Sequence, residues 1–219
     1  MTSDNSKTVN LVEVAPDSNG HANSNLRAEE MRRYLDTLYG DRSGVLHFAV
    51  GYEPYFNAQG AYRFGNGKWI PGAVLWPSPE EIDDLIELLL RESEEGDVYV
   101  CPYLMVGDER AKGLAVDHRW VHADIDREPF DAVKAGKLDS IGGFAIASGS
   151  DDHVHAYVPL AESVPAPQHE AMCRGLGVYL GGADPGKCSD NDVLRPPGTY
   201  NHKPRVRDGS PMALVRWLP

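Results

Sequence analysis

Apolar positions at helical spacing alternate with short apolar runs along the first half of the chain. One helix is predicted over 26–39. A second is predicted to begin at 78–81, where Ser-Pro-Glu-Glu combines an N-cap serine, a first-turn proline and a glutamate three positions after the serine. Apolar runs at 45–50 and 98–103 predict strands, and the Gly-rich, aromatic stretch 51–76 indicates strand and loop without a clear period.

The second half of the chain alternates strands and helices. The predicted elements are, in order, a strand ending near residue 125, a helix near 130–135, strands at 143–148 and 153–158, a helix over 167–180, and strands near Val193 and at 212–217. From about residue 116 the order strand, helix, strand, strand, helix, strand is typical of a split βαβ unit of the RRM-like kind.

These elements predict an α/β (α+β) protein with one folded domain. Residues 1–25 are rich in Ser, Asn and Asp and lack apolar periodicity, so they predict a disordered leader. The domain is predicted over 26–219, with an N-terminal α/β module at 26–115 packed on an RRM-like unit at 116–219 that has a mixed or antiparallel sheet.

Composition narrows the class of protein. The chain has 219 residues, of which 42% are hydrophobic, and no apolar run approaches the roughly 20 residues of a membrane span. The N-terminus lacks a signal-peptide pattern. Cys101, Cys173 and Cys188 form no CxxC pair, which suits a reducing cytoplasm. Free buried thiols are the favoured interpretation, with a zinc site built from His169, Cys173 and Cys188 as the alternative.

Charge is distributed unevenly. The net charge of −12 argues against broad electrostatic binding to duplex nucleic acid. Residues 80–97 hold nine acids and a single base, Arg91, whereas 195–216 hold five bases and a single acid, Asp208. An acidic face beside a basic strip is compatible with a small, local phosphate site.

Two carboxylates close the strand that ends near residue 125. Alternate side chains of a strand point to the same face, so Asp124 and Asp126 are predicted to emerge side by side. Adjacent carboxylates repel each other unless a cation lies between them, and hard oxygen ligands favour Mg²⁺ or Mn²⁺. The alternative is a strand that ends in a solvated, Asp-rich turn.

Two further segments carry candidate chemistry. On the strand at 153–158, His153, His155 and Tyr157 share a face, where a histidine can bind a metal or a phosphate; the alternative is a solvated edge strand. The Pro-Pro-Gly-Thr turn at 196–199 sets the chain direction. Arg195, Lys203 and the side-chain amide of Asn201, which flank that turn, can converge on an anionic group. The alternative is a surface turn with solvated bases.

Together these segments resemble the archaeo-eukaryotic primase superfamily, in particular the primase-polymerase domains of phage and plasmid replication proteins. His-Ala-Asp-Ile-Asp at 122–126 is similar to that family's first motif, and 148–157 is similar to its second. Leu-Arg-Pro-Pro-Gly-Thr-Tyr-Asn-His-Lys at 194–203 is similar to the segment that follows the acid of its third motif. The resemblance covers about residues 95–207.

The resemblance implies a metal site. Asp124, Asp126 and Asp184 would bind two Mg²⁺ or Mn²⁺ ions. Asp192 competes with Asp184 as the third acid, and Asp190 is a weaker competitor.

The resemblance also implies the residues that bind the nucleotide. His155 is the counterpart of the second motif's catalytic histidine, because His-Ala-Tyr-Val-Pro-Leu at 155–160 matches that motif best. His153 then stands where relatives often have serine, which is a departure from the motif. The other nucleotide-binding residues are Ser148, His153, Arg195, Asn201 and Lys203.

The implied activity is template-directed nucleotidyl transfer on single-stranded DNA, with or without a primer, using NTPs or dNTPs. Relatives act in phage or plasmid replication, often with a helicase domain, so a cytoplasmic protein of a bacterial host is expected, with no membrane partner. One rival hypothesis is a replication-initiator nuclease in which His153 and His155 bind the metal and Tyr179 attacks DNA. The other is a non-catalytic RRM-like binding module.

Overall fold

The computed structural model describes residues 24–76, 81–150 and 152–218. In that part of the chain there are five helices: α1 (Ser24–Tyr39), α2 (Ile82–Glu95), α3 (Ala132–Ser140), α4 (Ala166–Leu180) and α5 (Lys203–Asp208). Apart from Ser24 and Asn25, which begin α1, the predicted leader lies outside the described residues. The predicted helix start at Ser78 also lies outside them, and Glu81 stands at the N-cap of α2.

Eleven strands are present in the same ranges. They are β1 (Val45–Tyr52), β2 (Tyr55–Phe56), β3 (Tyr62–Arg63), β4 (Trp69–Leu75), β5 (Gly96–Val100), β6 (Trp120–Ile125), β7 (Phe144–Ala147), β8 (Val154–Pro159), β9 (Tyr200–Asn201), β10 (Ala213–Leu214) and β11 (Arg216–Trp217). Helices and antiparallel strands in one chain confirm the predicted α+β class.

A three-stranded antiparallel sheet forms the N-terminal part of the fold. Its order is β4-β1-β5, with β1 in the middle. Helices α1 and α2 contribute large buried side chains to the core beside it, including Met31, Leu35 and Leu89. The apolar spacing that predicts these two helices is therefore the face that they bury.

A four-stranded antiparallel sheet forms the second part, in the order β11-β7-β8-β6. Its strands and helices follow one another in the predicted RRM-like order. On one face Ala123, Val154 and Ala156 pack in a cluster with Leu138 of α3 and Leu176 of α4. Asp124 of β6, and His155 and Tyr157 of β8, therefore point to the other face.

The largest hydrophobic cluster is shared by the two parts. It contains Leu46 of β1 together with Ile146 of β7, Tyr157 of β8, Leu194 and Val215. The burial of side chains from both sheets in one core makes the relative position of the sheets part of the fold itself.

One local prediction is wrong, and one helix was not predicted. No strand forms around Val193; Leu194 makes one isolated bridge, to Val100 of β5, because Pro196 and Pro197 follow and have no N–H to continue a ladder. No helix was predicted over 203–208; α5 forms there with Pro204 in its first turn, where a proline is tolerated. No helix of the described residues is long and apolar enough to cross a membrane.

Candidate active site

The two carboxylates of the Asp-x-Asp segment and a third from a distant loop lie at the end of β6. Asp124 is on the strand and Asp126 follows it, and the loop after α4 folds back beside them. The main-chain nitrogen of Asp184 donates to the carbonyl oxygen of Asp124 over 2.8 Å. The carbonyl oxygen of Gly182 accepts from the nitrogen of Asp126 over 3.1 Å. The loop therefore holds Asp184 beside the Asp-x-Asp segment.

The electrostatics of these carboxylates favour a bound cation. Burial, and then the negative charge of Asp184, raises the pKa of Asp124, while Lys187 and Arg195 oppose that rise. Burial, and then the charges of Asp124 and Asp184, raises the pKa of Asp126. The donors are all carboxylate oxygens, which suit Mg²⁺ or Mn²⁺. A divalent ion would relieve the mutual repulsion that raises these pKa values.

The competing acids have other partners. Asp192 Oδ2 accepts from the nitrogen of Ser189 over 2.8 Å and lies 3.5 Å from His122 Nε2. Burial raises the pKa of Asp192, but these two contacts outweigh burial and hold the pKa below its usual value. Asp190 is buried and lies 3.0 Å from His118 Nε2. Neither acid affects the pKa of Asp124 as strongly as Asp184 does.

His155 lies directly opposite Asp124 in the β6–β8 register. Its Nε2 is 3.8 Å from Asp124 Oδ1, and the residue is 3% exposed. Burial, followed by the positive charges of Arg195 and Lys187, lowers the pKa of His155 to about 3. The imidazole is therefore neutral at physiological pH. His153 precedes the strand, and its carbonyl oxygen accepts from the nitrogen of Ser148 in the connecting turn.

Arg195 is held by the N-terminal sheet. Its Nε donates to Asp97 Oδ1 over 3.2 Å, and its guanidinium donates to the hydroxyl of Tyr99 over 2.6 Å. Asp97 is fully buried and also accepts from the hydroxyl of Tyr62 and the nitrogen of His202. The cation is thus fixed in place close enough to the carboxylates to oppose the rise in the pKa of Asp124.

Asn201 is buried and connects two of the predicted segments. Its Nδ2 donates to the carbonyl oxygen of Ser148 over 2.8 Å, and its Oδ1 accepts from the nitrogen of Lys203 over 2.9 Å. The side chain of Asn201 therefore positions its neighbours. Lys203 begins α5 and is partly exposed, and its positive charge lowers the pKa of Asp126.

Lys187, Asp97 and Tyr99 belong to this site and were missed by the sequence reasoning. Lys187 is the strongest single charge opposing the rise in the pKa of Asp124. In the sequence, Asp97 is the last residue of an acidic run and Tyr99 lies in a predicted strand, and neither position indicates a role in a site. Lys187 could have been found, because it lies in the Gly-rich loop at 181–187 that also contains Asp184. Nothing in the sequence linked the other two to Arg195.

Tyr179 lies on the opposite side of the second sheet from the histidines. It is near the end of α4, where Leu176 and Leu180 pack against Ala156, whereas His155 points to the other face. The Tyr179 ring is exposed and lies 5.4 Å from the ammonium nitrogen of Lys137. The structure therefore does not bring together the residues that the nuclease hypothesis requires.

Comparison with solved structures identifies the fold. The structure of primase RepB' matches with a TM-score of 0.57 at 18% identity, covering 88% of this chain and 56% of that one. The chain has the primase-polymerase fold. The catalytic domain of primase RepB' in complex with initiator DNA matches with a TM-score of 0.54 at 20% identity, over 87% of this chain and 84% of that one.

A third structure with the primase-polymerase fold is the archaeo-eukaryotic primase domain of the cyanophage S-2L primase-polymerase. It matches with a TM-score of 0.55 at 13% identity, over 87% of this chain and 89% of that one. No family model and no curated protein matches the chain. At these identities the likeness establishes the fold, and it confirms the resemblance inferred from the three motifs at that level.

Proposed function

We propose that this chain is a DNA primase-polymerase that transfers nucleotides on a single-stranded DNA template. The observation that carries the proposal is the meeting of Asp124, Asp126 and Asp184 at the end of β6, beside His155 and Arg195. The fold adds support, since solved structures that share it are a primase and a primase-polymerase. Asp184 is proposed as the third acid because its main chain is hydrogen-bonded to Asp124 and its charge raises the pKa of both Asp124 and Asp126.

Asp124, Asp126 and Asp184 would hold two Mg²⁺ or Mn²⁺ ions. When bound, such a pair activates the attacking hydroxyl and neutralises the leaving pyrophosphate. The three carboxylates would set where these ions lie relative to the end of β6. Lys187 limits the repulsion among the carboxylates before substrate arrives.

The cationic side of the site would bind the triphosphate. Arg195 is held by Asp97 and Tyr99, so its guanidinium is oriented before substrate binds, and little reorganisation is needed when charge develops on the leaving group. Lys203 provides a second positive charge on the side of Asp126. Neutral His155 can donate an N–H to a phosphate oxygen without adding a charge.

The biological setting remains part of the proposal. A single-stranded template and primer, nucleoside triphosphates and a helicase partner are expected in phage or plasmid replication, in the cytoplasm of a bacterial host. Support comes from the domain of cyanophage origin and from the primase structure that contains initiator DNA.

The proposal is tested by nucleotide incorporation on a single-stranded DNA template with Mg²⁺ or Mn²⁺, with and without primer, and with NTPs or dNTPs. Wild type is compared with Asp124→Asn and Asp126→Asn, and with Asp139→Asn on the exposed surface of α3 as the matched control. Metal-dependent products from wild type and the control alone support the proposal. Products without primer establish priming, and products only with primer establish extension.

Two results would contradict the proposal. Cleavage of the template without incorporation indicates the nuclease hypothesis. A folded wild-type protein that binds single-stranded DNA but makes no product with either metal indicates a binding module.

A further inference from the structure

A second cluster of metal-binding side chains lies beside the carboxylates, on the same strand. His122 of β6 and the pair His169 and Cys173 of α4 are all at most 2% exposed. Their ligand atoms lie within 4.8 Å of one another. Because His169 and Cys173 are four residues apart, one turn of α4 presents both to His122. The fold therefore brings together two imidazoles and a thiol that the proposed polymerase chemistry does not use.

The distances within the cluster suit a tetrahedral ion. His169 Nε2 is 3.3 Å and His122 Nδ1 is 3.8 Å from Cys173 Sγ. Zn–N bonds of about 2.0–2.1 Å and a Zn–S bond of about 2.3 Å place neighbouring ligand atoms about 3.3–3.8 Å apart. The hydroxyl oxygen of Tyr103 lies 2.7 Å from His169 Nε2 and 2.8 Å from His122 Nδ1, so Tyr103 borders the cluster at hydrogen-bond distance, and an ion bound there would replace these hydrogen bonds.

The surroundings of His122 also suit a metal ligand. Metal-binding histidines usually direct their second ring nitrogen at a carboxylate, which sets the tautomer. His122 Nε2 is buried and lies 3.5 Å from Asp192 Oδ2, without a hydrogen bond to any described residue.

We propose that His122, His169 and Cys173 bind a zinc ion. A donor set of imidazole nitrogens and thiolate sulfur suits Zn²⁺ and not Mg²⁺, so the site is chemically distinct from the Asp124 carboxylates. The ion joins α4 to β6 two residues before Asp124 and so stabilises the strand that carries the carboxylates.

This zinc site differs from the set considered from the sequence. Cys188 was the third member there, but its Sγ donates to the carbonyl oxygen of Pro185 over 3.6 Å and lies outside the cluster. His122 takes its place. The sequence reasoning assigned His122 to no role beyond its place in the first motif.

The first test is zinc content. Protein purified without chelator is analysed by inductively coupled plasma mass spectrometry, for wild type, Cys173→Ser, His169→Gln and the matched control Cys188→Ser. We expect about one zinc ion per chain in wild type and in the control, and a loss of zinc in the other two variants. Circular dichroism verifies that each variant is folded.

The second test uses wild type alone, so it does not depend on the folding of a variant. Zinc is removed with a chelator and Co²⁺ is added, which should produce the intense visible bands of a tetrahedral site and a thiolate-to-cobalt charge-transfer band in the near ultraviolet. Wild type without stoichiometric zinc and without a thiolate band would overturn the proposal. So would zinc that survives Cys173→Ser but not Cys188→Ser. A hydrogen-bonded cluster without metal would give the first of these results.

Discussion

The main-chain nitrogen of Asp184 donates a 2.8 Å hydrogen bond to the carbonyl oxygen of Asp124. An isolated bridge between Ile125 and Ala183 lies beside it. Together these contacts join the loop after α4 to the end of β6, so main-chain hydrogen bonds position Asp184 beside Asp124. Asp192, the competing acid, lies against His122.

This arrangement predicts different effects for the two acids. Asp184→Asn should reduce metal-dependent incorporation by more than about 100-fold, because it removes a proposed metal ligand. Asp192→Asn should reduce incorporation by less than about 100-fold, because the Asp192 carboxylate contacts a histidine and is not a proposed ligand. Steady-state incorporation assays with Mn²⁺ measure both variants. The opposite ranking would make Asp192 the third acid.

Divalent metal should stabilise the protein against heat. Because folding raises the pKa of Asp124, the free energy of unfolding without metal falls as pH rises through that pKa. Asp124→Asn should therefore be more stable than wild type at neutral pH when metal is absent. Mn²⁺ at 100 times its Kd should stabilise wild type by about 2.7 kcal/mol and the variant by much less. Thermal scans with and without Mn²⁺ test this, and an equal shift in both proteins would contradict it.

Asn201 should contribute to stability as a bridge. Asn201→Ala leaves the carbonyl oxygen of Ser148 and the nitrogen of Lys203 without their partner, at a cost of about 1–3 kcal/mol for each buried group. Ser148→Ala keeps that carbonyl and loses only a 3.5 Å contact with Ser150, so it should cost less. Urea unfolding of the two variants measures the difference. Equal costs would show that the bridge is unimportant.

Asp190 should make the fold sensitive to acid. Burial raises its pKa, but His118 and the N–H groups of Gly113 and Ala115 outweigh burial and lower it. A carboxyl whose folded pKa is depressed contributes stability above its unfolded pKa of about 3.9 and loses it as pH falls further. Asp190→Asn should cost about 1.5–3 kcal/mol at pH 7, because it weakens the hydrogen bonds that a buried, charged carboxylate accepts.

The same variant should show a weaker loss of stability than wild type does as pH falls below about 4. Chemical unfolding at a series of pH values measures both effects. Parallel pH profiles for wild type and Asp190→Asn would mean that the carboxylate is not the acid-sensitive group.

Much of the fold could be predicted because the signals are local. The apolar spacing in α1 and the period-2 pattern around Asp124 and His155 each depend on a few neighbouring residues. The absence of a strand near Val193 and the presence of α5 could not be predicted from local signals. In both places the effect of a proline on the local structure depended on the path of the residues around it.

The sequence by itself determined that Asp124 and Asp126 close a strand, that a histidine strand follows, and that a basic turn comes later. Only the tertiary structure decided that Asp184 joins them, that Asp97 and Tyr99 hold Arg195, and that His122 meets Cys173. The physical reason is the distance along the chain over which each kind of interaction acts. Periodicity and turn chemistry act over a few residues, whereas a site is assembled by the packing of two sheets in a shared core, which no local pattern encodes.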